Sequence, residues 1–325
     1  MKKNICVIGT GNLGSRHLQA LKKINFPLKI HVVDPNQNSL KIAEQRYNSV
    51  EECEAKHTIS YHNKIDFSDI DFEVAIIATN SDVRKMVIEN LLAKNHVEKF
   101  VLEKVLFQKL EDYNYVENLL KTNKSEAWVN CPRRMFFVYK EIKDIIGGNK
   151  FSFSISGSKF NLMSNAIHFI DIIAFLTDST EFVVDTSELI PKLSKSKRQG
   201  FYEMNGKLNI KFKNGTSGFL HCLPSGNLPL INEIYTDEKR IILKESELEI
   251  LTYNPQISEK WIKKEIKFPY QSELTNILIE DLIKTNSCEL TSYSDSKKLH
   301  LSIFKPVLDY INNFSDSKYE ILPFS

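Results

Sequence analysis

The sequence predicts a two-part α/β protein: an N-terminal doubly wound parallel sheet over residues 1–130, then an α+β unit over residues 131–325 with a largely antiparallel open sheet. Three features predict it. Short apolar runs alternate with helical stretches through the first 130 residues, the pattern of right-handed β-α-β crossovers. Near residue 150 the period changes, and Phe151, Phe153 and Ile155 alternate with serines as in a strand with one wet face. The length, 325 residues, exceeds what one hydrophobic core fills efficiently, roughly 250 to 300 residues.

In order along the chain, residues 4–8 (NICVI) form a strand that ends in glycine, and Leu13, Leu18, Leu21 and Ile24 follow near helical spacing. Residues 29–33 form a second strand ending at Asp34-Pro35, followed by a polar, solvated helix and a short strand at Thr58-Ile59-Ser60. The run from Val74 to Ala78 is apolar without interruption, as a strand buried on both faces of a parallel sheet must be. Helices at about 83–94 and 110–121 then alternate with strands at 100–102 and 127–129.

The second part holds an apolar helix at 164–176, then strands at 207–212, 217–223, 240–244 and 247–251, with Asn214-Gly215 as a hairpin turn. Helices at 271–285 and 292–314 close the chain, the C-terminal one expected to pack back on the first domain. No internal repeat or low-complexity linker interrupts the pattern.

Lys and Arg number 43 against 41 Asp and Glu, scattered rather than gathered in a stripe, which argues against nucleic acid as a partner. No apolar run approaches the roughly 20 residues needed to cross a bilayer, and the N-terminus lacks a signal-peptide core, so a soluble, cytoplasmic protein with no membrane partner is expected. Cys6, Cys53, Cys131, Cys222 and Cys288 are widely spaced, with no CxxC pair and no Cys/His cluster; they read as reduced thiols, and no metal site is expected.

The chemistry-bearing pattern opens with Gly9-Thr10-Gly11-Asn12-Leu13-Gly14 between a predicted strand and a predicted helix. The first glycine permits a tight turn, the second lets a pyrophosphate approach the backbone, and the third lets the helix pack on the strand, while the helix N-terminus offers N–H donors. Asp34, twenty positions after Gly14, stands where a carboxylate accepts both hydroxyls of an adenosine ribose. Residues 35–39 contain no Arg or Lys to receive a 2′-phosphate, which favours NAD over NADP. Asp34 could alternatively cap a helix beginning near Asn36, and S-adenosylmethionine enzymes use a similar loop, so the loop alone does not establish hydride chemistry.

Glu103-Lys104 leaves a strand end at the carboxyl edge of the sheet, where an ammonium group can stabilise a developing alkoxide. The helix at 164–176 is apolar nearly all round, yet Asn165, His168 and Asp171 recur at i, i+3 and i+6, with Ser164 one turn before His168. An imidazole that titrates near neutrality suits the proton transfer that accompanies hydride transfer at a carbinol carbon; a hydrogen-bonded core histidine is the competing reading.

Taken together, the GTGNLG loop, Ala78-Thr79-Asn80, Glu103-Lys104 and His168-x-x-Asp171 resemble the glucose-fructose oxidoreductase / inositol dehydrogenase / rhizopine-catabolism family of NAD(P)-dependent sugar oxidoreductases, over essentially the whole chain. The resemblance implies that Lys104 contacts the substrate hydroxyl and nicotinamide ribose, that His168 is the general acid/base, and that Thr79, Asn80 and Glu103 line the nicotinamide side. Gly9, Gly11, Asn12, Leu13, Gly14 and Asp34 would hold the rest of the cofactor. It implies a sugar-type substrate, with Asn165, Asp171 and one of Arg133 and Arg134 contacting it, the arginines through a carboxylate or phosphate. Its Asn-x-x-His-Phe-Ile-Asp wording is similar to a branch associated with surface-polysaccharide and acidic-sugar biosynthesis.

Val105 stands where the family carries proline, and Ser164 where many members carry aspartate. An NAD-dependent glycosidase and a non-catalytic NAD-binding sensor are the alternative readings on the same scaffold. A homodimer or homotetramer through the open sheet is expected.

Overall fold

The computed structural model describes residues 2–51 and 53–325, which divide into two compact units. The first comprises residues up to Phe107, Glu111–Pro132 and Pro269–Ser296. It runs β1 (Lys3–Ile8), α1 (Gly14–Leu21), β2 (Leu28–Val33), α2 (Gln37–Asn48), β3 (Thr58–His62), β4 (Asp71–Ile77), α3 (Arg84–Leu92), β5 (His96–Leu102), α4 (Asp112–Thr122) and β6 (Glu126–Val129).

The second unit, Gln108–Leu110, Arg133–Phe268 and Lys297–Ser325, contains α5 (Phe137–Ile146), β7 (Ser152–Ser158), α6 (Leu162–Thr177), β8 (Phe182–Asp185), β9 (Ser194–Lys195), β10 (Tyr202–Glu203), β11 (Gly206–Phe212) and β12 (Ser217–Leu223). It continues through β13 (Ile231–Tyr235), β14 (Arg240–Lys244), β15 (Glu249–Asn254) and β16 (Ser258–Glu265). The chain closes with α7 (Gln271–Thr285), β17 (Thr291–Ser292) and α8 (Tyr293–Phe314).

Strands β3, β2, β1, β4, β5 and β6 lie side by side in that order, all parallel, and β17 adds an antiparallel edge beyond β6. The order reverses at β1 and β4, the switch point at which open α/β sheets take their ligands. Continuous apolar sequence is what a parallel sheet with both faces covered demands, and Ile5, Val7, Val74, Ala75, Ile76 and Ile77 are all fully buried. These residues carry the hydrophobic stabilisation, roughly 1.5–3 kcal/mol for each large apolar side chain removed from water.

The second sheet has the order β16-β15-β14-β13-β7-β12-β11-β8 and is antiparallel except where β12 pairs with β7. Its alternation is strict: in β7, Phe153, Ile155 and Gly157 are buried while the serines between them stay half-exposed. Helix α6 packs against β12, β10 and α5 of the same unit, with Ile167, Phe169, Ile170, Ile172 and Ile173 at 1% exposure or less.

Where the chain crosses from one unit to the other differs from a single boundary near residue 130. Pro269–Ser296 rejoins the first unit, so α7 lies against α1 there. The C-terminal helix α8, expected to return to the first domain, does so only with its first residues and belongs to the second unit from Lys297 onward. The helical period of 271–285 marks an apolar face but does not reveal which core it covers.

Candidate functional site

In the first unit the glycine loop links β1 to α1. Gly9 adopts φ +88°, and a Cβ on it would meet the Ala78 carbonyl carbon at 2.9 Å; a Cβ on Gly14 would stand 1.8 Å from the Gly9 oxygen. Both glycines are thus required by close backbone approach. At Gly11 the same test meets nothing within 4 Å, so the loop opens there onto free space.

Asp34, 8% exposed at the end of β2, binds this loop directly. Its Oδ2 accepts from the Thr10 N–H at 2.6 Å and from Thr10 Oγ1 at 3.0 Å, and its Oδ1 accepts from the Asn36 N–H at 2.8 Å. Asp34 does not cap α2. Asn36 does, its Oδ1 accepting from the N–H groups of Asn38 and Ser39 at 2.9 and 3.2 Å.

A cleft of about 480 Å³ opens beside the loop, walled by Gly9, Gly11, Asp34, Thr79, Asn80 and Lys64, among others. Thr79 Oγ1 is buried there with no hydrogen-bond partner among the described residues, a group whose desolvation a bound ligand would offset.

At the end of β5, Glu103 is 5% exposed and does not line that cleft. Its Oε1 accepts from His17 Nε2 on α1 at 3.0 Å and from Asn130 Nδ2. A carboxylate oxygen can only accept, so His17 carries a proton on Nε2. On its other side His17 Nδ1 lies 2.8 Å from Thr275 Oγ1 on α7. Burial alone would raise the Glu103 carboxyl, but the His17 and Asn130 hydrogen bonds and the Arg84 charge hold it below the usual carboxylate range.

Lys104 follows, half-buried, and its peptide bond to Val105 is cis. Arg84, 1% exposed, donates to the Thr79, Val105 and Leu106 carbonyl oxygens, the last at 2.7 Å. One buried guanidinium therefore fixes both the Thr79-Asn80 turn and the segment after Lys104.

In the second unit, α6 carries Ser164, Asn165 and His168 half-exposed, whereas Asp171 is fully buried. Both Asp171 carboxylate oxygens accept from Arg134, at 2.9 and 3.0 Å. Arg133 pairs with both oxygens of Glu245, donates to Tyr139 Oη at 3.0 Å, and lies 4.8 Å from the Phe169 ring centre. Asn165 Nδ2 donates to the Phe160 carbonyl at 2.6 Å.

No side chain caps α6 from its own N-cap residue, Asn161. Glu203 of β10 takes that place: it accepts from the Met163 N–H at 2.9 Å, from the Ser164 N–H at 3.3 Å, and from the Ser164 hydroxyl.

Residues 3–131 match the profile of the Gfo/Idh/MocA oxidoreductase family, described by its NAD-binding Rossmann fold. No curated protein matches the sequence. Among solved structures, UDP-N-acetylglucosamine 3-dehydrogenase from Acidithiobacillus ferrooxidans is similar with a TM-score of 0.72 at 12% identity, over 97% of this chain and 100% of the other. An oxidoreductase from Agrobacterium radiobacter in complex with NAD+, L-tartaric acid and magnesium aligns at 0.70 and 14%, over 96% and 97%. Levoglucosan dehydrogenase in complex with NADH aligns at 0.67 and 14%, over 97% and 98%.

The residues present fit NAD, the cofactor that the matched domain's description names: the open space over Gly11, the α1 N-terminus, the Asp34 carboxylate and the unpartnered Thr79 hydroxyl share one cleft or its rim. Of the residues singled out from sequence, Gly9, Gly11, Asp34, Thr79 and Asn80 wall it. Asn12 and Leu13 are exposed at the start of α1, and Gly14 is buried beneath the turn. Glu103 is instead a buried anchor.

In the second unit the expected common face of Asn165, His168 and Asp171 divides, because Asp171 is sealed against Arg134. The carboxylates that Arg133 and Arg134 grip are the protein's own, since a guanidinium at 15–17% exposure requires a counter-charge. Lys64, on the cleft wall after β3, is a cation outside the stretch 35–39; its place at a strand's carboxyl end was the signal that could have found it. Sequence reading also passed over His17, Arg84 and Glu203, most of whose partners lie more than 20 positions along the chain.

Proposed function

We propose that the protein transfers a hydride between NAD and a hydroxyl or keto carbon of a sugar derivative, a sugar nucleotide or an acidic sugar among them. The observation that carries this reading is His168, a half-exposed imidazole on a helix whose other faces are sealed by apolar side chains. The names of the dehydrogenases similar in fold, which act on UDP-N-acetylglucosamine and levoglucosan, support the substrate class.

Bound NAD supplies the hydride acceptor. The protein's part is to hold and to move protons. Gly9, Gly11, Asn12, Leu13 and Gly14 receive the pyrophosphate on backbone N–H groups, Asp34 accepts the ribose hydroxyls, and Thr79 and Asn80 flank the nicotinamide end. Lys104 places an ammonium on the substrate oxygen and favours its alkoxide character, and His168 takes the hydroxyl proton or returns it.

Titration with NADH and NADPH, followed by cofactor fluorescence and thermal stability, tests the binding half: the Asp34 carboxylate repels a 2′-phosphate, so NADH binds more tightly. Failure of both to bind would sink the reading. With a turned-over sugar in hand, Lys104→Ala and His168→Ala each lower kcat by about 100-fold or more, far more than they weaken NADH binding. We further propose a homodimer or homotetramer through the open sheet, supported by Val183, Leu228, Trp261 and Ile262 at 68%, 60%, 45% and 42% exposure; a monomeric mass at micromolar concentration would contradict it.

A further inference from the structure

We infer that Glu203, acting through the Ser164 hydroxyl, is a positioning residue for the acid/base imidazole of His168; this rests on the proposed role of His168. Glu203 is 5% exposed on β10, and two of its bonds have an ordinary purpose, since the Met163 and Ser164 N–H groups are orphan donors that any helix start must satisfy.

The third bond has no such purpose. The Ser164 hydroxyl is not a helix orphan, and it could have bonded to a backbone carbonyl or to water, yet it donates to the buried carboxylate. A hydroxyl whose proton is committed to an anion presents its lone pairs elsewhere, with raised basicity. Residues four apart share a helix face, and long side chains on a helix lean back toward its N-terminus, so His168 extends over the turn that holds Ser164.

The carboxylate is bonded to the hydroxyl, and the hydroxyl stands one helical turn from the imidazole on the same face. In substrate oxidation bound NAD would take up the hydride from the carbinol carbon, and His168 would take the proton released as the substrate O–H bond breaks. Glu203 remains ionised and Ser164 keeps its proton, so they stabilise the imidazolium that forms without taking up the proton themselves.

The ionisable groups on the elements packed against α6 are Arg133 and Arg134 before α5, Tyr139, Lys140, Glu141, Lys143 and Asp144 on α5, His221 and Cys222 on β12, and Tyr202 and Glu203 on β10; Asp171 lies on α6 itself. Arg134 is paired with Asp171, Arg133 with Glu245 and Lys143 with Asp178. Glu203 accepts from the hydroxyl of Ser164, one turn from the imidazole.

The test is a proton NMR titration of the full-length protein labelled with 13C at histidine Cε1, with the His168 resonance assigned by its loss in His168→Asn. In Glu203→Gln the carbonyl oxygen still accepts from the helix N–H groups but the charge is gone. The His168 midpoint should fall by about half a pH unit or more, with the thermal midpoint little changed. An unchanged midpoint would overturn the inference and leave Glu203 a helix cap. Should Glu203→Gln fail to fold, Ser164→Ala keeps the backbone bonds and breaks the relay; its midpoint should fall likewise, and an unchanged one overturns the inference equally. Because the titration needs no turnover, it can fail while NADH binding and sugar oxidation succeed, or succeed while they fail.

Discussion

The glycine loop and helix α6 both keep polar groups at the edge of an apolar core, but by different means. In the loop, the groups offered to a ligand are backbone N–H groups, and their geometry follows from three glycines and one carboxylate within a few dozen residues. On α6 the groups are side chains, each held by a residue distant in sequence: Asp171 by Arg134, 37 positions away, and Ser164 by Glu203, 39 positions away. Backbone sites are thus encoded locally, whereas side-chain sites depend on how the sheet brings remote charges together. The loop should accordingly fail in binding while its unit stays folded, and α6 should fail in stability.

The largest effect belongs to the sealed pair. Arg134→Ala leaves the fully buried Asp171 carboxylate without its bidentate partner, and breaking a buried pair on one side costs about 3–5 kcal/mol. Urea denaturation monitored by circular dichroism reads this directly. Arg134→Met with Asp171→Leu should recover most of the loss, because removing both charges also removes their desolvation penalty. If Arg134→Ala cost under about 1 kcal/mol, the pair would be an exposed surface bridge in solution and the comparison would break.

Gly11→Ala tests the other region. The added methyl group meets nothing within 4 Å, so the thermal midpoint should hold, while the space it fills is the approach to the phosphates; NADH affinity should fall about tenfold or more, equivalent to ~1.4 kcal/mol. Gly14→Ala is the contrasting case, since a Cβ there stands 1.8 Å from the Gly9 oxygen and the turn itself must move. Equal effects of the two substitutions on stability would show that the loop is not open over Gly11.

How far sequence carried the reading follows the same division. The parallel strands were legible because burial on both faces writes an unbroken apolar run, and the glycine loop because its spacing is dictated by the turn. The i, i+3, i+6 spacing on α6 suggested one shared face for Asn165, His168 and Asp171 and could not show that Arg134 would claim Asp171. His17 was invisible as a ligand of Glu103 because nothing within 80 residues signals the contact, whose separation is 86 positions. Asp34 was found, yet its partner Thr10 inside the glycine motif was not, since no rule of spacing gives the variable position of that motif a role.

A smaller effect sharpens the point within the first unit, where one side-chain cluster was also illegible. His31 on β2 is 5% exposed, stacked 5.7 Å from His62 and ringed by Phe67 and Phe72 at 5.1 and 5.5 Å. Burial, then the Lys29 charge and His62, lower its pKa from 6.5 to about 4. A base with a depressed folded-state pKa binds fewer protons folded than unfolded between those values, so stability is complete above about pH 6.5 and declines as the pH falls toward about 4. His31→Phe keeps a ring in the cluster and removes the titration. The difference in urea midpoint between pH 7 and pH 4.5 should therefore shrink in the variant. An identical pH dependence in both proteins would mean that His31 protonates in the folded state as readily as in the unfolded chain, and that its ring is not shielded from water by the two phenylalanines.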